Sequence, residues 1–286
     1  MPQPALHLLL ARQTIERWRG LASPPFDLDD PASVNAFLHG SLAPDMGNFP
    51  GGTTTLAHLV HTQRTGEVQR VLFRSASTEP ERAFAHGWLT HVVADALIHP
   101  IINADAARRT RDGEATIVEH VRVEVGIDVA FCWQHAALDG LRLQPAFDRI
   151  TYRFLADTLN AVVAADVTPA RLAQMERGLV MFSHGALHFA TSVARQLCWQ
   201  DGDDHRVPLG STFLWHTALR LSPRDSLVNA YLLPHIPDPQ LVIRTENAVR
   251  TFAAMVDELV ADKAESLPDY NLEDGTIAKH RDRHVA

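Results

Sequence analysis

Apolar residues recur at every third or fourth position along nearly the whole chain, and this rhythm restricts the fold more than any other feature. Such spacing puts apolar side chains on one face of an α-helix. The apolar–polar alternation of strands is missing, as are Asn-Gly or Asp-Gly turns between strand-like segments. The 286 residues are 46% hydrophobic, which is enough to bury a large core. We therefore expect an all-α fold, and we interpret residues 1–286 as one compact multi-helix domain.

Capping residues predict the bounds of the first helices. The first helix should run from Pro4 to Trp18. The second should have Asp30 as its N-cap and Pro31 as its first residue, since an Asp side chain accepts hydrogen bonds from the first turn and proline fits there. This helix should end before Pro44, which would leave the following residue, Asp45, in a loop.

Further helices are predicted by the same signals. A third should begin near Thr53, and a capping box from Thr78 to Glu81 should open a helix that ends at Pro100. Another is expected over residues 114–138. Three pairs of an N-cap residue and a proline predict helices in the second half: Thr168-Pro169, Ser222-Pro223 and Asp238-Pro239.

Charge and histidine content narrow the classes of function. The formal charge is −8, so the chain has no strong cationic field for nucleic acid. Nine of its 16 histidines precede residue 136, and metal binding is the simplest use for them. The sequence contains no run of 18 apolar residues, so we predict no membrane-spanning helix. His7 interrupts the apolar N-terminal stretch and no basic segment precedes it, so we predict no signal peptide and a cytoplasmic location.

Two pairs of potential metal ligands occur at a four-residue step, His91 with Asp95 and His120 with Glu124, and His99 lies a further four residues after Asp95. Such a step turns a helical side chain by about 40° and advances it about 6 Å, so both members of a pair face the same way. Imidazole and carboxylate groups are preferred ligands of Zn²⁺. Apolar neighbours surround His91 and Asp95, and a carboxylate in such surroundings requires a partner.

Three further ligand candidates precede these pairs, and together they give the set His7, Asp45, His58, His91, Asp95, His99, His120 and Glu124. The motifs follow one another in a fixed order: an early helical His, then Pro-Asp-Met-Gly, a lone His, H-x-x-x-D with a His close behind, and H-x-x-x-E. This order resembles the bacterial zinc-dependent phospholipase C family, which is all-helical and carries three zinc ions.

The resemblance implies a distribution of ligands: Asp45, His58, His91 and Asp95 would bind one ion, His99, His120 and Glu124 a second, and Asp95 would bridge to a third held by His7. In that family the third ion is also bound by the amino-terminal amine that signal-peptide cleavage exposes. Because no signal peptide is predicted here, with Pro2 as the amine if Met1 is removed, the sequence departs from the family at this ligand. Two or three zinc ions are therefore expected.

By this resemblance the chain is expected to be a hydrolase that uses metal-activated water to cleave a small phosphodiester or a phospholipid headgroup. Asp45 is the candidate general base for the attacking water. Choline-selective members of the family have aromatic residues where this chain has Met46 and Thr55. The sequence therefore does not select a particular headgroup.

Two alternatives remain. An S1/P1-like nuclease or nucleotide phosphohydrolase would use the same cluster, although that family typically has Asp where this chain has Glu124. A non-catalytic helical interaction module would use zinc only to join helices, but structural zinc sites usually have four protein ligands and favour thiolates.

Overall fold

The computed structural model describes the backbone of residues 4–49, 51–110, 116–134, 149–200, 217, 220–232, 235, 237 and 239–277. Its α-helices are α1 Pro4–Trp18, α2 Pro31–Gly40, α3 Thr54–Thr62, α4 Thr65–Ser75, α5 Glu79–Arg109, α6 Thr116–Gln134, α7 Arg149–Val163, α8 Pro169–Gln200, α9 Leu227–Leu232 and α10 Pro239–Ala261. A 3₁₀ segment, Ala43–Asn48, follows α2, and two short strands, β1 Tyr270–Asn271 and β2 Thr276–Ile277, follow α10. The all-α prediction is confirmed.

The predicted N-caps of α2 and α5 are present. The Asp30 side chain accepts hydrogen bonds from the backbone of Ala32 and Ser33. Thr78 accepts from the Glu81 backbone, while the Glu81 carboxylate accepts from the Thr78 backbone. These caps satisfy N–H groups that have no partner within the helix. The predicted bounds of α1 agree with the structure.

The prediction that Pro100 ends its helix is wrong, because α5 continues to Arg109. An internal proline costs about 3 kcal/mol, since it has no backbone N–H to donate and its ring crowds the carbonyl group of the preceding turn. The residues beyond it offset that cost: Ile102 and Ala106 are buried, and burying a side chain the size of isoleucine contributes about 1.5–3 kcal/mol. Asp105, also buried, pairs with arginines near the end of the helix. Packing therefore outweighs the local preference.

Other boundaries differ from the sequence prediction in smaller ways. Asp45 lies in the 3₁₀ segment rather than in an irregular loop. Helices begin at Pro169 and Pro239 as predicted, whereas Ser222-Pro223 lies in a turn and α9 begins only at Leu227. Within the predicted helix 114–138, residues 116–134 are helical, and residues 114–115 and 135–138 lie outside the described part of the chain.

The central helix α5 packs against α1, α2, α4, α6 and α10, and its crossing with α2 is close enough to require glycine. A Cβ atom on Gly87 would lie 2.0 Å from the Phe37 carbonyl oxygen, and one on Gly40 would lie 2.2 Å from that of Phe84. Two glycines thus let the backbones touch. The crossing brings the end of α2 and the 3₁₀ segment beside the middle of α5.

The strands β1 and β2 pair antiparallel around Asp274 and Gly275, so the expectation that no Asp-Gly turn joins two strands is wrong at this place. We call residues 270–277 the C-terminal hairpin. Gly275 has φ of +73°, and a Cβ there would lie 2.6 Å from the Ala96 carbonyl oxygen. The hairpin therefore packs directly on α5 beside Pro100. Among the described residues no helix is both long and apolar enough to cross a membrane.

Candidate metal centre

Eight side chains from five elements converge at the middle of α5, and we call them the imidazole–carboxylate cluster. Its members are His7 on α1, Asp45 on the 3₁₀ segment, His61 on α3, His91, Asp95 and His99 on α5, and His120 and Glu124 on α6. Most of these side chains are buried. Seven of the eight ligand candidates from the sequence lie in this cluster, and His58 does not.

Three groups within the cluster have the spacing of a metal site. They are His7, His91 and Asp95; Asp45, His61 and His91; and His99, His120 and Glu124. In each group, one nitrogen or oxygen atom per residue lies within 4.8 Å of the others. These groups are therefore able to hold a metal ion, and His91 belongs to two of them.

Asp95 joins the groups, because its carboxylate approaches imidazoles from three helices. Its Oδ1 lies 3.2 Å from His7 Nε2 and 3.8 Å from His99 Nε2. Its Oδ2 lies 3.1 Å from His91 Nε2 and 3.6 Å from His61 Nε2. A carboxylate with both oxygens so placed suits a bridge between cations.

Four of the imidazoles are oriented by an oxygen atom on the side away from the cluster. His61 Nδ1 donates to the Ala57 carbonyl over 2.7 Å, and His91 Nδ1 donates to that of Ser41 over 3.0 Å. In the same way His99 Nδ1 donates to the Leu272 carbonyl, and His120 Nδ1 contacts Asn103 Oδ1. Carbonyl oxygen only accepts, so Nδ1 carries the proton and Nε2 faces the carboxylates. Metal-binding histidines are typically held in this way.

Buried atoms without partners indicate that a cation fits here. Within the described part of the chain, the Nε2 atoms of His61, His91 and His99 have no hydrogen-bond partner, nor do the Oδ2 atoms of Asp45 and Asp95. Burying such atoms without a partner costs about 1–3 kcal/mol each. Because lone pairs of nitrogen and oxygen face one another, a proton or a metal ion is required between them. Nitrogen and oxygen donors without thiolates match zinc.

The proximity of imidazoles and carboxylates shifts the pKa values of Asp95 and His99. Burial alone would raise the pKa of Asp95, but the adjacent His99 and His91 lower it well below its usual range. Burial alone would lower the pKa of His99, but Asp95 and Glu124 raise it to about 9. The Asp95 carboxylate is thus kept charged and attracts cations, and a metal ion that binds His99 would replace the proton that the neighbouring carboxylates favour there.

The prediction of His58 as a ligand does not agree with this arrangement. His58 is 61% exposed and its Nδ1 lies 2.9 Å from Glu273 Oε1. His61, three residues later, lies in the cluster instead, with its Nε2 atom 3.2 Å from Asp45 Oδ1. The buried face of α3 carries Ala57, Val60 and His61, and residues 57 and 61 are one turn apart. The apolar pattern around His61 was the signal that could have selected it.

Asp128 is a second residue that the sequence analysis missed. Its two carboxylate oxygens accept hydrogen bonds of 3.0 Å from the backbone N–H groups of Ala5 and Leu6, at the start of α1. Burial raises the pKa of Asp128 to about 8 despite these bonds. Asp128 thereby fixes the helix that carries His7. Its position one turn after Glu124 was the available signal.

A cleft of about 550 Å³ opens beside the cluster. His61, His99 and His120 from the cluster lie in its wall, together with Asn48, Thr54, Ala57, His58, Asn103, Thr116, Ile117 and Glu273. Its volume lies within the range of small-molecule sites. The cluster is therefore accessible to a ligand through its imidazoles.

A family model described as "Zinc dependent phospholipase C" matches residues 6–164, which is more than half of the chain. The chain belongs to this family. All eight cluster residues lie within the matched segment, so the zinc-dependent phospholipase C assignment and the geometry concern the same part of the molecule. Comparison with curated proteins and with solved structures found no further match.

Proposed function

We propose that the protein is a zinc-dependent phosphodiester hydrolase of the phospholipase C type, which cleaves a phospholipid headgroup or a small phosphodiester with water. One observation carries the proposal: the imidazole–carboxylate cluster contributes three histidines to the wall of the cleft. An ion bound by His61, His99 or His120 would lie at the boundary between the buried carboxylates and a substrate. A purely structural zinc would be closed off by four protein ligands.

The cluster residues would hold two or three zinc ions through the groups described above. Zinc bound there would neutralise phosphoryl oxygens and lower the pKa of a bound water molecule to about 7. Asp95 would bind between ions, since both of its oxygens face imidazoles. Eight groups shared by three ions would leave coordination positions for water and substrate, because three four-coordinate ions offer about twelve positions.

Asp45 is proposed in two roles. Its contact with His61 and its position in a group able to hold a metal support a ligand role. The general-base role, in which an Asp45 oxygen takes a proton from the attacking water, stays a proposal from the sequence, because Asp45 is buried and the cleft wall beside it is formed by Asn48 and His61. Asn48 donates to Asp45 Oδ1 over 3.2 Å and so orients the carboxylate.

The lining of the cleft favours a small phosphodiester over a nucleic acid strand. Among the described lining residues there is no lysine, arginine, phenylalanine, tyrosine or tryptophan. Proteins that bind single strands combine a cationic groove with aromatic rings on which bases stack. An S1/P1-like nuclease activity is therefore the weaker alternative.

Metal removal tests the proposal. Protein stripped with a chelator should hydrolyse p-nitrophenyl phosphorylcholine and bis-p-nitrophenyl phosphate at least about a hundredfold more slowly than zinc-reloaded protein, because electrostatic stabilisation of the transition state is lost. Release of p-nitrophenol measures the rate, and circular dichroism shows whether both samples stay folded. If the folded, zinc-loaded protein cleaves neither compound nor a phospholipid, the hydrolase assignment is wrong and a zinc-joined interaction module is favoured. Preferential cleavage of single-stranded DNA would favour the nuclease.

A further inference from the structure

The C-terminal hairpin, which lies outside the segment matched by the family model, forms part of the cleft. Leu272 anchors it to two cluster residues: its backbone N–H donates to the His61 carbonyl oxygen over 2.7 Å, and its carbonyl accepts from His99 Nδ1. The next residue is held as well, since Asn103 donates to the Glu273 carbonyl oxygen over 2.6 Å. The backbone of Glu273 is therefore fixed relative to the cluster.

The Glu273 side chain points to the cleft and is not needed to hold the fold. It is 54% exposed, and its partner His58 is more exposed still. Exposed ion pairs of this kind contribute little to stability. A carboxylate accepts more hydrogen bonds than the contact with His58 uses. Glu273 is thus a negative charge at a fixed position beside the cluster, with capacity for a ligand.

The side chains that line the cleft do not suit the binding of a quaternary ammonium group. Such a group has no N–H to donate, and aromatic faces are what binds it. The described cleft wall has amide, hydroxyl, imidazole and carboxylate groups but no phenylalanine, tyrosine or tryptophan side chain. A primary ammonium group, in contrast, donates up to three hydrogen bonds, and its bonds to a carboxylate are charge-assisted.

We infer that Glu273, with His58 beside it, is the specificity-determining residue for the headgroup and selects phosphodiesters whose alcohol carries a primary ammonium, such as phosphoethanolamine esters. The inference rests on the proposed hydrolase function. The phosphodiester lies against the cluster histidines in the cleft wall, and the ammonium group donates to the Glu273 carboxylate. Glu273 is then a binding residue that acts on the headgroup rather than on the reacting phosphorus.

Matched short-chain lipids test this inference. The value of kcat/KM is measured for dihexanoyl phosphatidylethanolamine and dihexanoyl phosphatidylcholine, with bis-p-nitrophenyl phosphate as a substrate that lacks both headgroups. The native protein should prefer the ethanolamine lipid. Glu273→Gln keeps the size but removes the charge, so the ratio of ethanolamine to choline activity should fall about ten- to a hundredfold. Glu265→Gln is the control, because Glu265 is a similarly exposed glutamate that pairs with Arg74 instead, and its ratio should not change.

The outcomes separate this inference from the proposed function. A native preference for the choline lipid, or an unchanged ratio in Glu273→Gln, would overturn the role of Glu273 while leaving the hydrolase intact. An equal loss on both lipids would show a structural role and would also overturn it. Failure to cleave any of the three substrates with zinc bound would overturn the hydrolase function and this inference with it.

Discussion

Replacement of Asp95 by asparagine should lower phosphodiesterase turnover about a hundred- to a thousandfold, the scale on which loss of one essential electrostatic group acts. It should also remove at least one zinc ion per chain. Asp95 is the carboxylate that four imidazoles approach within 3.8 Å. Asparagine keeps its shape but loses the negative charge and one of the two acceptor oxygens. Turnover of bis-p-nitrophenyl phosphate and zinc content by plasma mass spectrometry measure the two effects.

The control for this variant is Asp105→Asn on the same helix. Asp105 is 1% exposed, against 2% for Asp95, but its partners are Arg108, Arg109 and Arg244. It should lose thermal stability, because the buried Asp105 carboxylate loses the charge that pairs with these arginines, and still retain zinc. Full zinc content and native turnover in folded Asp95→Asn would contradict the bridging role of Asp95.

Replacement of His61 by alanine should reduce turnover at least about a hundredfold and lower the zinc content, because a cluster imidazole is removed. The same change at His58 should leave the zinc content intact. Both histidines lie on α3, only three residues apart, yet only His61 is buried beside Asp45. The pair thus compares two helical histidines that differ mainly in the face they occupy.

Zinc content and a thermal unfolding curve should be measured for both variants. His61→Ala is expected to unfold at a lower temperature than His58→Ala when zinc is present, since bound metal stabilises only the folded state. If His58→Ala loses zinc and His61→Ala keeps it, His58 is the ligand on α3, as predicted from the sequence, and His61 is not.

Local signals predicted much of the fold. Asp30 and Thr78 gave correct helix starts because a cap depends on neighbours within three residues. The prediction that α5 ends at Pro100 was wrong because the packing of the residues after it compensates for the cost of an internal proline. The C-terminal hairpin depends on contacts such as that between Leu272 and His61, more than 200 positions apart in the chain, which no local pattern reveals.

In the candidate site, too, local spacing could be predicted from the sequence and long-range contacts could not. The four-residue spacing of His91, Asp95, His120 and Glu124 predicts them as ligands because it is a helical property, and the structure brings them together with His7, Asp45 and His99. The order of motifs favours His58 as the ligand on α3, whereas the buried face of that helix favours His61. The orienting groups, such as the Ser41 and Leu272 carbonyls, are backbone atoms that carry no residue-type signal.

We expect the imidazole–carboxylate cluster to bind zinc ions that face the cleft. Crystals of the zinc-loaded protein, measured above and below the zinc absorption edge, test it most directly through the anomalous difference map. We expect two or three peaks among the cluster side chains, each next to Asp95 or Glu124 and at least one open to the cleft. Ordered zinc bound only elsewhere, or enclosed by four protein ligands with no open position, would contradict a catalytic zinc centre in this cluster.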